Sequence, residues 1–217
     1  MIRIVCLIIG YIFGLFQTAY IYGKMHGIDI RTVGSGNAGT TNTLRVLGTK
    51  AGLIVLVGDI LKTMLAILIV KLLFSQTHED ILYMLVLYTA AGAILGHNYP
   101  FYLGFKGGKG IAATAGLILS MPPCFIIVGV IVFFGTFLTT HYVSLGSLLV
   151  YLALVIQLIY CGQTGFFTEM SQPALTEMYL VSIFLMIMAY WRHRSNIKKL
   201  LTGTERKTYI LKKNKVD

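Results

Sequence analysis

Residues Gly96 to Gly110 read GHNYPFYLGFKGGKG and lie between two apolar stretches. Gly104, Gly107, Gly108 and Gly110 strip side chains from the backbone, so amide N–H groups there can close on a ligand. Lys106 and Lys109 add positive charge to the same loop. Bare amides beside ammonium groups suit a phosphate. The run is not a Walker loop, which requires Gly, four residues, Gly-Lys and then Ser or Thr. Here Gly108 and Lys109 are followed by Gly110, Leu103 stands where the first glycine belongs, and no strand pattern precedes. Nucleotide hydrolysis is disfavoured. His97 and Asn98 fall at the end of the preceding apolar stretch, and Pro100 enforces an extended entry to the loop.

Two further polar islands carry candidate chemistry. The run Gly34 to Arg45 is dense in glycine, hydroxyls and amides. Ser35 or Asn37 is a candidate N-cap for a short helix running to about Leu47, with Gly48 as its stop. In that helix Thr41 and Asn42 lie one turn before Arg45 and share its face. A helix N-terminus with an arginine nearby is an anion site, with Ser35, Gly36, Asn37, Asn42 and Arg45 as its candidates. The competing interpretation is a plain capped connector. The run Trp191 to Glu205 predicts a helix ending before Gly203, with His193, Asn196 and Leu200 on one face and Arg194 and Lys198 on another. A snorkelling anchor accounts for the cations. It does not account for His193 and Asn196, which together can orient a polar substrate. Glu205 is expected to pair with an arginine of another loop. Ser144 adds either a hydroxyl to the site or a cap to the helix after it.

The elements that must position these islands are membrane helices. Of 217 residues, 56% are hydrophobic and 12% charged, against about 25% charged in a soluble domain. The mean hydropathy is +0.78. The expected fold class is all-α: one membrane domain over residues 1–217, with seven spans at about 4–22, 52–74, 81–96, 111–122, 124–140, 146–161 and 175–191 and a basic tail at 192–217. The first apolar run is longer than a signal peptide's and lacks a cleavage site, so it is read as a retained span. The segment after Gly110 is short before Met121, Pro122 and Pro123, and is a candidate half-crossing.

Charge orients the chain. Lys24, Arg31, Arg45, Lys50, Lys106, Lys109 and the cations after Trp191 alternate with connections holding only Glu79, Asp80 and Glu169. The positive-inside rule places the islands and the C-terminus in the cytoplasm and the N-terminus outside. The net charge of +10 then gathers on one face, where it also attracts anionic lipid. Nucleic-acid binding is disfavoured, because the cations are juxtamembrane and no such motif is present. Asp59 and Lys62 fall inside the second span at i, i+3, either as a packing ion pair or with a role beneath the site. Gly10 with Gly14, and Gly92 with Gly96, have the spacing of close helix contacts. Cys6, Cys124 and Cys161 read as small buried hydrophobes. No metal constellation or cofactor motif stands out.

In their order, the islands GSGNAGTTN (Gly34–Asn42), GHNYPFYLGFKGGKG and HRSNIKKLLTGTE (His193–Glu205), with VGDILK (Val57–Lys62) and YVSLGS (Tyr142–Ser147), resemble the PlsY family of bacterial acyl-phosphate-dependent glycerol-3-phosphate acyltransferases. The chain departs from the family at Thr40-Thr41, where Ala-Thr is usual, and at His141, where an arginine is usual. The resemblance implies a seven-helix enzyme of the bacterial cell membrane with a cytoplasmic active site. It would move a fatty acyl group from acyl phosphate to the 1-hydroxyl of sn-glycerol 3-phosphate, giving lysophosphatidate and inorganic phosphate without a cofactor. It also implies a functional link to a soluble enzyme that makes acyl phosphate. The other acyltransferase class carries His, four residues and Asp, and no histidine here has Asp five positions later. Within this frame Ser35, Arg45, His193 and Asn196 are the expected catalytic set. The expected substrate-binding set is Gly36, Asn37, Asn42, His97, Lys106, Gly107, Gly108, Lys109, Gly110 and Ser144. Acyl phosphate, glycerol 3-phosphate and the bilayer are the expected partners. The rival reading is a small polytopic transporter of a phosphorylated metabolite.

Overall fold

The computed structural model describes residues 1–209. Lys212, Lys213 and Lys215 of the basic tail lie outside the described residues. The first expected span is two helices, α1 (Ile2–Gly14) and α2 (Thr18–Met25). After them come α3 (Thr40–Leu47), α4 (Thr49–Phe74), α5 (Leu82–Asn98), α6 (Ile111–Ser120), α7 (Pro123–Thr140), α8 (Val143–Gln163), α9 (Gln172–Arg192) and α10 (Arg194–Leu201). Among the described residues six segments are long and apolar enough to cross a membrane, and α6 is a shorter apolar helix. Each expected span is therefore a helix, with the first one broken and the fourth one short.

Helix α5 is the most enclosed, packed against α1, α4, α6 and α9. Its contact with α1 is the most extensive in the bundle, and glycine explains why. A Cβ at Gly10 would stand 1.9 Å from the Thr89 carbonyl oxygen, and one at Gly92 would stand 2.0 Å from the Leu7 oxygen. The two small-residue stripes face each other, so the backbones meet with nothing between them.

The break in the first span lies at Leu15 to Gln17, inside the bundle, where exposed carbonyls are costly. Gln17 meets that demand: its Nε2 donates to Gly14 O (3.1 Å), Gly96 O (3.2 Å) and His97 O (3.1 Å). Lys62 donates to Phe16 O at 2.8 Å.

Helix α6 is 10 residues long, about 15 Å, or half the hydrocarbon thickness of a bilayer. At Met121 and Pro122 the chain turns back. Gly129 of α7 then packs on Ile118 of α6, where a Cβ would lie 3.1 Å from Ile118 Cγ2. The pair is an antiparallel hairpin, not one kinked helix. Helix α7 packs chiefly on α8 and buries only Phe125 and Phe137.

Replacing Gly92 by Val should cost about 1–3 kcal/mol through overpacking against Leu7. Thermal unfolding of the purified protein in detergent would measure it, and an unshifted midpoint would mean that α1 and α5 are not in contact there.

Candidate active site

Four segments far apart in sequence meet at one end of the bundle, around a cavity of about 920 Å³. Thirteen of the fourteen residues singled out in the sequence line it; Gly108 does not.

The loop before α3 is organised by Asn42. Its Oδ1 accepts the Ser35 N–H at 2.8 Å, and its Nδ2 donates to Ile30 O at 3.0 Å and Val33 O at 3.1 Å. A buried carboxamide with three backbone partners holds the loop in shape, and its atoms are occupied in doing so. Neither Ser35 nor Asn37 caps α3: the N-cap is Gly39, and the helix starts at Thr40, later than expected. Ser35 and Gly36 stand exposed at the cavity mouth. Gly48 stops the helix at φ 89°, a conformation open to glycine. Arg45 reaches across to Thr208, its guanidinium donating to Oγ1 at 2.7 Å. Burial lowers the Arg45 pKa from its ordinary value, with the Glu205 carboxylate acting the other way.

The glycine loop differs from its expected role. The Gly107 N–H donates to Asn98 O (3.2 Å) and the Gly108 N–H to His97 O (3.1 Å). Those amides continue α5 and are not open to a phosphate. Their carbonyls accept from Arg192: Nη2 donates to Gly107 O at 2.9 Å and to Gly108 O at 2.6 Å. The amides that remain belong to Lys109, Gly110 and the first turn of α6, which precede any intrahelical partner. Gly108 is a glycine for steric reasons, since a Cβ would lie 2.1 Å from His97 Nε2 and 2.7 Å from Ala38 O. Lys109 points inward and donates to Asn196 Oδ1. Burial lowers its pKa to about 8; Glu205 opposes that shift, while Arg192, Lys199 and Arg45 add to it. Lys106 stays exposed at the rim.

At the end of α9 the helix breaks, and α10 starts one residue later. His193 stands at that break, so it and Asn196 do not share one continuous helix face. The His193 ring is buried, and Nδ1 donates to Ala189 O at 2.8 Å. That bond leaves Nε2 as the lone-pair nitrogen toward the cavity. Burial first, then Lys109, lowers the His193 pKa to about 4. The imidazole is therefore neutral at pH 7. Beyond Gly203 the chain turns back, and the Glu205 N–H donates to Lys199 O at 3.1 Å. Glu205 Oε1 then accepts from Ser144 Oγ and Asn196 Nδ2, both at 2.7 Å. The expected Glu205–arginine pair gives way to these two bonds, with Arg45 acting only through space.

Below this polar end the wall turns apolar. Leu56 and Ile60 of α4, Ala115 and Ile118 of α6, Val130 and Phe133 of α7 and Val150 of α8 continue the same cavity into the bundle. One space thus joins a cationic mouth to a hydrocarbon-like groove.

A family model described as glycerol-3-phosphate acyltransferase matches residues 4–203. The chain belongs to that family. It is 38% identical over 212 residues to the glycerol-3-phosphate acyltransferase of Thermoanaerobacter sp. (strain X514), covering 95% of this chain and 96% of the relative. It is 42% identical over 206 residues to glycerol-3-phosphate acyltransferase 2 of Bacillus anthracis, covering 94% and 98%. Its fold matches the crystal structure of PlsY, an integral membrane glycerol 3-phosphate acyltransferase, in the glycerol 3-phosphate form. The TM-score is 0.81 at 32% identity over 96% of each chain. The lysophosphatidic acid form gives 0.78 at 31%. The chain is thus a membrane-embedded glycerol-3-phosphate acyltransferase.

Sequence reasoning did not place Arg192 in the site. Its signal was a cation at the last turn of a span, immediately before His193, and that position also suits a topology marker. Thr208 and the inward turn of Glu205 had no local signal.

The His193 pKa has a consequence for stability. Between about 4 and the ordinary value of 6.5 the unfolded chain binds a proton that the folded chain refuses. Stability is thus complete above pH 6.5 and declines as pH falls toward 4. His193→Gln should flatten that decline in detergent unfolding curves; an unchanged slope would mean that His193 is not buried neutral.

Proposed function

We propose that this enzyme uses acyl phosphate as donor and sn-glycerol 3-phosphate as acceptor, releasing lysophosphatidate and inorganic phosphate at the cytoplasmic face of the cell membrane. The observation that carries the reading is the two-character cavity. An acyl phosphate has a long apolar tail and an anionic head, and so does lysophosphatidate. The groove between α4, α6, α7 and α8 takes the tail, and the cations at the mouth take the phosphates. The solved relative's glycerol 3-phosphate and lysophosphatidic acid forms support the acceptor and product. The basic islands at that end support the cytoplasmic side. All of these groups are held within one membrane domain. Transport is the weaker reading, because the polar groups that line the cavity gather at one end of the bundle.

In the proposed reaction, Lys109 and the first turn of α6 hold the phosphate of glycerol 3-phosphate. Arg45 and the Ser35 loop hold the donor phosphate. Asn196 is set by Lys109 and Glu205 and orients whichever group lies between them. The acceptor hydroxyl donates to His193 Nε2, which aims its oxygen at the acyl carbon. With a pKa of about 4 the imidazole is a weak base, so its contribution is orientation. The C–O bond to the acceptor forms and the bond from the acyl carbon to the phosphate oxygen breaks; as the acceptor oxygen becomes positive, its proton leaves the hydrogen bond to His193 and passes to an oxygen of the departing phosphate. Because the leaving group is good, positioning and charge stabilisation supply the rate. Ser35 is a binder in this scheme, since among the described residues no base is hydrogen-bonded to its hydroxyl.

The purified protein in detergent should release phosphate and form lysophosphatidate from acyl phosphate plus glycerol 3-phosphate. Acyl-CoA and acyl carrier protein thioesters should give no product under the same conditions. Turnover with either thioester and none with acyl phosphate would end the donor assignment.

Lys109 loses its proton near pH 8 in the free enzyme, so kcat/KM for glycerol 3-phosphate should fall as pH rises through about 8. Lys109→Arg should remove that limb of the profile. Its persistence in the variant would take Lys109 out of phosphate binding.

A further inference from the structure

Beneath the glycine loop lies a buried polar cluster. Asp59 and Lys62 of α4 form an ion pair at 2.8 Å, with side chains 1% and 4% exposed. The Asp59 Oδ1 also accepts from Thr18 Oγ1 at 2.9 Å. Lys62 Nζ, besides its bond to Phe16 O, stands 2.9 Å from His97 Nδ1. An ammonium has donors and no acceptor, so the nitrogen it meets must offer the lone pair. The proton of a neutral His97 ring is then on Nε2. Asp59 could compete for Nδ1–H, but its Oδ1 is 3.7 Å away, beyond hydrogen-bond reach.

The His97 side chain is nine-tenths buried, it lines the cavity, and its Nε2 has no hydrogen-bond partner among the described residues. Gly108 packs beside this nitrogen. A Cβ there would lie 2.1 Å from Nε2, so any larger residue would displace the ring or cap its N–H. A donor that reaches the cavity without a protein acceptor is free to take one from a ligand.

We propose that Lys62, neutralised by Asp59, is a positioning residue that fixes His97 as the Nε2–H tautomer and makes it a donor to the phosphate of glycerol 3-phosphate from the floor of the cavity. This rests on the function proposed above. It also gives the charged pair inside α4 a task at the site beyond packing. Lys62 serves the broken helix as well, through Phe16 O, so loss of activity on its removal would not by itself separate the two roles.

The test uses full-length protein in detergent micelles, labelled with ¹⁵N-histidine, with the His97 signals identified by their loss in His97→Gln. The two-bond proton–nitrogen pattern reads the tautomer directly. Wild type should show Nε2–H at His97; an Nδ1–H or doubly protonated ring would overturn the proposal. This arm needs no variant at Asp59 or Lys62. In the second arm Asp59→Asn with Lys62→Gln removes both charges together and leaves a side chain that can also accept from Nδ1–H. The KM for glycerol 3-phosphate should rise about tenfold, the loss of one good hydrogen bond, with the KM for the donor unchanged. In a His97→Gln background, where the amide brings its own donor near the place of Nε2, the same double change should have little further effect. Equal losses in both backgrounds would show that the pair only packs the bundle. Wild-type protein without acyltransferase activity would instead refute the function proposed above, and the tautomer measurement would still stand.

Discussion

The guanidinium at the end of α9 donates to two consecutive carbonyls of the glycine loop, and the site exists only where that clamp closes. The Gly107 and Gly108 amides are tied to the last carbonyls of α5, and their carbonyls are tied to Arg192. Tyr99 lies 5.2 Å from the guanidinium carbon and steadies it through its ring face. The loop is thereby fixed on both edges, and it delivers Lys109 and the start of α6 to the cavity in one geometry. Because the clamp comes from the last long helix, the shape of the loop depends on the packing of that helix on α5.

The mouth of the cavity gathers Arg45, Lys109 and Arg192 with Glu205 as the nearby acid. Burial first, and then the neighbouring cations Arg192, Lys199 and Arg45, disfavour the charge on Lys109. A phosphate dianion relieves that repulsion. Glu205 accepts hydrogen bonds from Ser144 and Asn196, so it fixes side chains from α8 and α10 while offsetting part of the positive field at Lys109 and Arg45.

Much of this could be read in the chain. Long apolar runs gave the bundle, and alternating basic connections gathered the islands at one end, because both signals are local and cumulative. The glycine stripes at Gly10 and Gly92 do meet. Local reading failed where a backbone group had a distant partner. The Gly107 amide looked free because its acceptor, Asn98, bends back to it through a turn that composition does not describe. Ser35 and Asn37 looked like helix caps because cap preference is a local rule, and here Asn42 had already fixed the loop into another shape. His193 and Asn196 fit helical spacing, yet the helix breaks between α9 and α10 and turns the imidazole inward. Arg192 contacts residues more than eighty positions away, and no local pattern encodes that.

Helix α6 shows how one irregularity serves two needs. A membrane enzyme with an amphiphilic substrate must place an anion site at the polar boundary and open a groove beneath it, while keeping every backbone group bonded. A full-length helix at this position would meet the first need and fill the groove. At about 15 Å, α6 starts at the glycine loop, where its N-terminus lines the cavity, and it stops after about half the length that a full crossing needs. Pro122 and Pro123 then return the chain as α7, whose inner side lines the groove with Val130 and Phe133. Lengthening α6 would push that wall away from the polar end of the cavity, and removing it would leave that end without a helix terminus. In the proposed reaction, the short fourth span is therefore the feature that lets a water-soluble acceptor and a lipid-borne donor meet in one space.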